Sequence, residues 1–208
     1  TTLFRSNSSK FCVIHNAVDR EKYKYSVQKR EEIRGSMGIT DQFVIGHVGN
    51  FCYQKNHYFL LDVFEEVHKK DPNTVLLLAG DGVRFEKVRQ IVAEKNLEDV
   101  VKLLGRRSDT DYLYQGMDAF LLPSNFEGLP IAGIEAQSAG LPCFMSDEIT
   151  KESKITKACY FIPLKSGAKY WAEEILDNRM ERQSAEFLDN AEQYDLANQD
   201  QELKSLIR

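Results

Sequence analysis

Two glutamates, Glu127 and Glu135, lie in the stretch NFEGLPIAGIEAQSAGLP, separated by seven residues. The apolar run DAFLLP before this stretch is typical of a buried strand, and the residues after Pro130 have helical spacing. Glu127 would then lie in the turn before the helix and Glu135 about one turn inside it. Both carboxylates could accept hydrogen bonds from hydroxyl groups, such as those of sugars and ribose, at opposite ends of one ligand. On spacing alone, Glu127 could instead favour the helix dipole and Glu135 could be a solvated surface residue.

The turn between the two glutamates can hold a phosphate group. Gly128 lets the backbone pass close to a ligand, and Pro130 suits the first turn of a helix. The N–H groups of Leu129, Ile131 and Ala132 would face an anion, because the first amides of a helix have no partner within it.

Cationic residues follow two other predicted strands. The turn GNFCYQKN contains Gly49, Asn50 and Lys55, and Lys55 stands where its ammonium could reach a phosphate at the neighbouring turn. A surface lysine would have the same sequence signature. Arg106 and Arg107 follow the third strand, where they could contact an anion or stay solvated.

No metal-ligand spacing is found. Asp109 and Asp111 form a DTD motif that resembles a metal-binding pair, but Ser108 followed by Asp111 also reads as a capping box, which is the interpretation we adopt. His47 lies within a predicted strand and is expected to be buried and hydrogen-bonded. The turn GDG, at residues 80–82, is expected to be structural.

Short apolar runs alternate with amphipathic ones from Phe43 onward, which predicts βαβ units and a parallel sheet. Five strands are predicted, at FVIGHVG, TVLLLAG, VVKLLG, DAFLLP and PCFMS. The fold class is therefore α/β, a Rossmann-like doubly wound parallel sheet, and such sheets bind ligands at the carboxyl ends of their strands.

Three segments are predicted along the chain. Residues 1–40 form a junction with an early strand, FCVIHN, and a connection with some helix around Gln28 to Met37. Residues 41–165 form the Rossmann-like core. Residues 166–208 form C-terminal helices, polar and helical after Trp171, with no sixth βα unit.

Composition narrows the class of protein. The 208 residues, 42% of them apolar, can bury one sizeable core, and the net charge of -5 with interspersed signs argues against nucleic-acid binding. No apolar run approaches the ~20 residues of a membrane span. The four cysteines form no C-x-x-C pair, which favours reduced, buried thiols and a cytoplasmic location. The chain starts without Met, so we expect it to be a piece of a larger protein.

Several ordered motifs together resemble family 4 glycosyltransferases, which are retaining enzymes of the GT-B architecture. NFEGLPIAGIEAQSAGLP resembles their E-x7-E region, VIHNAVD the junction that opens their donor-binding half, and HVGNFCYQKNHYFLLDVF their G-R-F-x-x-Q-K-N-H segment. LLLAGDG, VVKLLGRRSD and MDAFLLPS follow in the family's order. The similarity is closest to bacterial capsular and exopolysaccharide transferases.

The resemblance implies that this chain binds a nucleotide-diphosphosugar, a UDP- or GDP-sugar, without a metal or other cofactor. Glu127 would contact hydroxyls of the donor sugar and Glu135 those of the ribose. Lys55 would neutralise the pyrophosphate, and with Glu127 it forms the implied catalytic pair. The implied donor-binding residues are Gly49, Asn50, Lys55, Arg107, Gly128, Leu129, Pro130 and Glu135, with the turn Gly105 to Arg107 beside the nucleobase.

Two departures from the family pattern are evident. Asn50 stands where the family has a phosphate-binding arginine, and nothing matches the N-terminal domain that binds the saccharide or lipid-linked acceptor. We therefore expect this chain to bind donor without turnover, and the full-length enzyme to work in the cytoplasm or at the inner face of the membrane. Asn50 also leaves open a non-catalytic binding or scaffolding module. A flavodoxin-like signalling domain is disfavoured, since Asn50 and Lys55 stand where its acidic pocket should be.

Overall fold

The computed structural model describes residues 2–5, 11–14, 16–199 and 204. Strands β1 (Thr2–Arg5) and β2 (Phe11–Ile14) pair with each other antiparallel. The six strands of the second sheet all run parallel, and they are β3 (Phe43–Val48), β4 (Thr74–Ala79), β5 (Val101–Gly105), β6 (Ala119–Leu122), β7 (Cys143–Ser146) and β8 (Cys159–Ile162). Their order across the sheet is β5-β4-β3-β6-β7-β8.

Helices connect the parallel strands and precede the sheet. They are α1 (Arg20–Tyr23), α2 (Val27–Ser36), α3 (His57–Lys70), α4 (Phe85–Glu94), α5 (Thr110–Gly116), α6 (Ile131–Ser138) and α7 (Gly167–Asp177). Short 3₁₀ turns occupy Lys151–Ser153, Leu164–Ser166 and Asp189–Tyr194, and residues 196–199 are helical. Within the described part of the chain, no helix combines the length and the apolar content needed to cross a bilayer.

The core has two layers, one on each face of the parallel sheet. Alternate residues of a strand point to opposite faces, so Leu77 packs in one layer with α2, α5 and α6, whereas Leu76 and Leu78 pack in the other with α3, α4 and α7. Every residue of β4 is buried, as expected where helices cover both faces. This arrangement confirms the predicted doubly wound Rossmann-like sheet.

The prediction of five strands was wrong by one. The sixth, β8, lies at the edge of the sheet, where Tyr160 and Phe161 are only half-buried. Its residues lie in the apolar run ACYFIPL, residues 158–164, which the five-strand prediction left out. The prediction of continuous helix after Trp171 was also wrong, because α7 ends at Asp177 and residues 179–186 have no regular structure.

The N-terminal segment follows its prediction more closely. The early strand is present as Phe11–Ile14, and the helix expected around Gln28 to Met37 is α2. His15, at the end of the predicted strand, lies outside the described residues. Cys143 and Cys159 are buried free thiols as expected, and burial raises the pKa of Cys159 to about 12. Cys52 is half-buried instead.

A buried cluster of charged side chains links α2 to the amino end of the parallel sheet. Asp118, just before β6, accepts hydrogen bonds from Arg30 at 2.5 Å, from Arg34 at 3.1 Å and from the backbone N–H of Val44 at 2.8 Å. The guanidinium of Arg34 also donates to the carbonyls of Gly116, Thr40 and Gln42. Because each charge is hydrogen-bonded, the cluster can remain buried.

The turn at residues 80–82 is structural, as predicted. Gly80 has φ +143°, and a Cβ there would lie 1.9 Å from the carbonyl oxygen of Gly49. Gly82 has φ +152°, and a Cβ there would lie 2.1 Å from Oδ1 of Asn50. The turns after β3 and β4 therefore pack backbone against backbone, which fixes the start of the loop that carries Lys55.

Replacement of Gly80 by alanine tests this packing. Gly80→Ala should lower the free energy of unfolding by about 3 kcal/mol, because the strained φ and the clash with backbone act together. Urea unfolding followed by circular dichroism measures it. Gly35→Ala is the control, since Gly35 lies in α2 with no atom within 4 Å of its added Cβ. The control should be neutral or stabilising by up to ~1 kcal/mol; equal losses in both variants would contradict the packing argument.

Candidate functional site

The direction of the strand order changes between β3 and β6, and doubly wound sheets form a ligand-binding crevice at such a switch point. The chain leaves β3 towards β4 and β5 on one side and returns to β6 on the other side of β3. The loops after these two neighbouring strands, residues 49–56 and 123–130, therefore diverge at the carboxyl edge of the sheet, which is where doubly wound sheets bind ligands. Asn125 joins the two loops, because its backbone N–H donates to the carbonyl of Gln54 at 2.8 Å and its side-chain amide to that of Tyr53 at 2.7 Å.

Lys55 and Glu127 meet in this crevice. The ammonium of Lys55 lies 2.5 Å from Oε1 of Glu127, and the hydroxyl of Ser124 donates to the same oxygen at 2.8 Å. The side chains are only 14% and 7% exposed, respectively. The sequence analysis predicts that both residues bind the same ligand, and the structure adds that they contact each other. The crevice thus holds a pre-formed ion pair, one member from each loop.

Glu135 is held by two tyrosines that sequence reasoning missed. Tyr23, at the end of α1, donates to Oε1 at 2.7 Å, and Tyr114 of α5 donates to Oε2 at 2.9 Å. The pKa of Tyr23 is raised above its ordinary value, mainly by burial and to a smaller extent by the Glu135 carboxylate. The same two causes raise the pKa of Tyr114. The solvated-surface alternative for Glu135 is therefore wrong. Each carboxylate oxygen keeps lone-pair capacity for a further hydroxyl donor.

The start of α6 has the geometry of an anion-binding site. Pro130 is the capping residue and Ile131 the first helical residue, which is where the helical spacing begins in the sequence. The N–H groups of Gly133 and Ile134 both donate to the carbonyl of Pro130, at 3.0 and 3.2 Å. The amides before Gly133 have no acceptor within the helix. A Cβ on Gly128 would meet no atom within 4 Å, so the approach over Gly128 is open.

In the turn after β5, both arginines are exposed, and the capping-box prediction is the one that the structure contradicts. Arg107 pairs with Asp109, through Nε at 2.8 Å and Nη2 at 2.6 Å, and this contact lowers the pKa of the Asp109 carboxyl. Arg106 is exposed. The capping-box interpretation was wrong, because Asp109 is the capping position, without a side-chain cap bond. Asp111 instead pairs with Lys22 at 3.5 Å.

Asn50 and Arg84 stand beside the loop after β3. Asn50 is exposed, with its side chain over Gly82. The guanidinium of Arg84 lies 5.1 Å from the ring centre of Tyr53 and 5.0 Å from that of Tyr58. Sequence reasoning missed this cation, because its position follows from the packing of the turns after β3 and β4. A pair of aromatic rings holds the guanidinium near the crevice without neutralising its charge.

His47 is buried and bonded as predicted, with Nδ1 2.8 Å from the carbonyl of Leu121. Among the residues that the structure describes, no three His, Cys, Asp or Glu side chains cluster as metal ligands would. The groups gathered at the crevice are a cation, two carboxylates and a helix start. Together they suit a ligand that carries both phosphate and hydroxyl groups.

Comparison with known proteins places the chain in a family. The family described as glycosyl transferases group 1 matches residues 29–195, and the chain belongs to it. The putative glycosyltransferase EpsF of Bacillus subtilis (strain 168) is 36% identical over 141 residues, 67% of this chain and 37% of that protein. The UDP-Gal:alpha-D-GlcNAc-diphosphoundecaprenol alpha-1,3-galactosyltransferase of Escherichia coli is 33% identical over 142 residues, 66% of this chain and 37% of that protein. The chain thus matches little more than a third of the length of these relatives.

Solved structures share the fold. Anabaena HepE in complex with UDP-glucose superposes with a TM-score of 0.70 at 19% identity, over 94% of this chain and 57% of that one. WaaG, a glycosyltransferase involved in lipopolysaccharide biosynthesis, superposes with a TM-score of 0.69 at 20% identity, over 79% of this chain and 46% of that one. The predicted family resemblance and the Rossmann-like half of a GT-B architecture are confirmed.

The tyrosine contacts of Glu135 should stabilise the fold. Tyr114→Phe should lower the free energy of unfolding by about 2 kcal/mol, since it removes a hydrogen bond to a carboxylate. Tyr112→Phe is the control, because Tyr112 is 36% exposed and has no hydroxyl bond to Glu135; it should change stability by less than ~0.5 kcal/mol. Urea unfolding at pH 8 measures both, and a similar loss in both variants would contradict the role of the Glu135 contact.

The same contact predicts a dependence on alkaline pH. Folding raises the pKa of Tyr114. Its contribution to the free energy of unfolding is therefore fully present below about pH 10, the ordinary tyrosine pKa, and is lost as the pH rises further. Tyr114→Phe should therefore lose less stability than the unsubstituted chain between pH 9 and 11. Equal losses would show that Tyr114 does not contribute in this way.

Proposed function

We propose that this chain is the donor-binding domain of a retaining glycosyltransferase that uses a nucleotide-diphosphosugar. The observation that carries the proposal is the contact between Lys55 and Glu127 across the crevice, beside the start of α6. A cation and a row of backbone amides suit a diphosphate, and the adjacent carboxylate suits the hydroxyls of the sugar attached to it.

The diphosphate would lie on the amides of Leu129, Ile131 and Ala132. Charge that develops on the departing diphosphate would be stabilised by Lys55 and by the helix N-terminus, so the proposed site works without a metal ion. Glu135 would accept the ribose hydroxyls. Its two tyrosines already fix the direction of the carboxylate, so the ligand would not have to order it.

Glu127 would exchange one partner for another when donor binds. An ammonium has three donor hydrogens, so Lys55 can contact a phosphate oxygen while it remains near Glu127. Ser124 donates to Oε1, and within the described part of the chain Oε2 has no hydrogen-bond partner, so Oε2 would accept from a sugar hydroxyl. The proposed catalytic role of Glu127 is to hold the donor sugar at the bond that breaks.

The named relatives favour a UDP-sugar over a GDP-sugar. The Escherichia coli relative is named for UDP-Gal, and the HepE structures contain UDP and UDP-glucose. Relatives named for amylovoran and Vi polysaccharide biosynthesis support a role in capsular or exopolysaccharide assembly. We further propose that the whole protein acts in the cytoplasm. A saccharide or lipid-linked acceptor would bind the part beyond this chain, and a lipid-linked one would bring the protein to the inner face of the membrane.

Calorimetric titration tests the proposed donor site. UDP should bind the chain, and Lys55→Met should weaken binding by about 1.5 to 3 kcal/mol, the range for a hydrogen bond to a charged group. Uridine, which lacks phosphate, should bind both proteins equally. Lys87→Met, on the exposed face of α4, is the matched control and should bind UDP as the unsubstituted chain does. No heat with UDP or GDP near millimolar concentration would favour the non-catalytic alternative.

Asn50→Arg should strengthen UDP binding. The substitution restores the cation of the family pattern at the exposed start of the loop after β3, and one added charged contact corresponds to about tenfold in affinity. Asn50→Gln is the control, because it lengthens the side chain without adding charge. The proposed role of position 50 fails if the arginine variant binds no more tightly than the glutamine variant.

A further inference from the structure

His47 has a defined tautomer. A backbone carbonyl can only accept, so the 2.8 Å contact with Leu121 requires the proton on Nδ1. Burial first, and then the neighbouring His57 and Lys55, hold the pKa of His47 well below its ordinary value, so the ring is neutral near pH 7. Nε2 therefore carries a lone pair and is an acceptor.

This acceptor is buried and unpaired at the edge of the donor site. Nε2 of His47 has no hydrogen-bond partner in the described part of the chain. It lies 3.0 Å from the point where a Cβ of Gly49 would stand, and Cε of Lys55 lies 3.2 Å from the same point. His47 Nε2 and Cε of Lys55 thus both border the position that a side chain on Gly49 would occupy.

His57 is the neighbouring side chain that could compete with Lys55 as a donor to Nε2. The ring of His57 lies edge-on to that of His47, with centroids 4.7 Å apart and planes at 81°, and it stacks on Phe51 at 4.0 Å. Within the residues that the structure describes, both ring nitrogens of His57 are also buried and have no hydrogen-bond partner. Burial first, and then Lys55 and Arg84, lowers the pKa of His57 to about 4, so this ring is neutral as well.

We propose that His47 is a positioning residue that accepts a hydrogen bond from the Lys55 ammonium when a bound diphosphate shares this ammonium with Glu127. The inference rests on the proposed function and deepens it. The three donor hydrogens of the ammonium then meet three acceptors: a phosphate oxygen, Glu127 and Nε2 of His47. Because His47 is neutral, it directs the ammonium without cancelling the charge that the phosphate needs.

Nitrogen NMR of the histidine side chains tests the contact without any nucleotide. In the unsubstituted chain, the spectra should show His47 with a proton on Nδ1 and no proton on Nε2. Glu127→Ala removes the competing carboxylate, so Lys55 should turn to His47 and shift the Nε2 resonance. The double variant Glu127→Ala with Lys55→Met should lose this shift. A proton on Nε2, or a shift that survives the loss of Lys55 and disappears with His57→Phe, would overturn the proposal.

Two substitutions of His47 separate positioning from simple packing. The side-chain amide of asparagine can replace Nδ1–H and keep the bond to Leu121, but it leaves no acceptor at Nε2. Glutamine can place its carbonyl oxygen near Nε2, but it loses the bond to Leu121. His47→Asn should weaken UDP binding about five- to tenfold, the effect of one hydrogen bond, and His47→Gln should bind closer to the unsubstituted chain.

A merely structural role predicts the opposite order, since only His47→Gln breaks the bond between β3 and β6. Uridine binding should not change in either folded variant. If UDP binds the unsubstituted chain and both variants equally, the positioning role is wrong while the donor site stands. If UDP does not bind the unsubstituted chain at all, the donor site is wrong, and the nucleotide-free NMR comparison still decides whether His47 can receive Lys55.

Discussion

The ion pair between Lys55 and Glu127 is the contact on which the crevice depends. Two charges so far removed from water are costly to bury, and they persist because each has an opposite charge within hydrogen-bonding distance. Lys55 comes from the loop after β3 and Glu127 from the loop after β6, so the pair also joins the two sides of the crevice. Without ligand the site is locally neutral. A ligand with adjacent phosphate and hydroxyl groups offers each member of the pair a replacement partner.

The loop after β6 is held firmly enough to support this pair. The backbone N–H of Glu127 donates to the carbonyl of Glu148 at 3.4 Å, and Ser146 donates through its hydroxyl to the carbonyl of Ser124 at 2.5 Å. Within α6, Glu135 is fixed by hydrogen bonds from Tyr23 and Tyr114. The segment before the parallel sheet is therefore part of the site, because α1 supplies one of the two tyrosines.

The sequence was informative wherever burial imposes a simple pattern. Strands such as β4 are covered on both faces and appear as continuous apolar runs, whereas β8, at the edge, is short and half-exposed and was missed. The two glutamates, Lys55 and Gly128 were found because they flank a strand end and a helix start. The tyrosines of Glu135 were not, because Tyr23 lies 112 positions away and contacts at that separation leave no spacing signal. The capping box failed for a local reason, since Arg107 engages Asp109 and the helix starts without a side-chain cap.

Under the proposed function, Lys55 would supply most of the positive charge that binds phosphate. Asn50 adds no charge, Arg107 is occupied by Asp109, and the two histidines behind Gly49 are kept neutral by burial. Protonated histidines in that position would repel the ammonium of Lys55, and a third carboxylate would neutralise the charge of this ammonium. Neutral rings avoid both effects. They leave the ammonium charged beside a helix N-terminus, while Arg84, stacked on Tyr53 and Tyr58, adds longer-range attraction for an anion. A chain that lacks the family's arginine can in this way still offer a diphosphate one ammonium and one helix N-terminus.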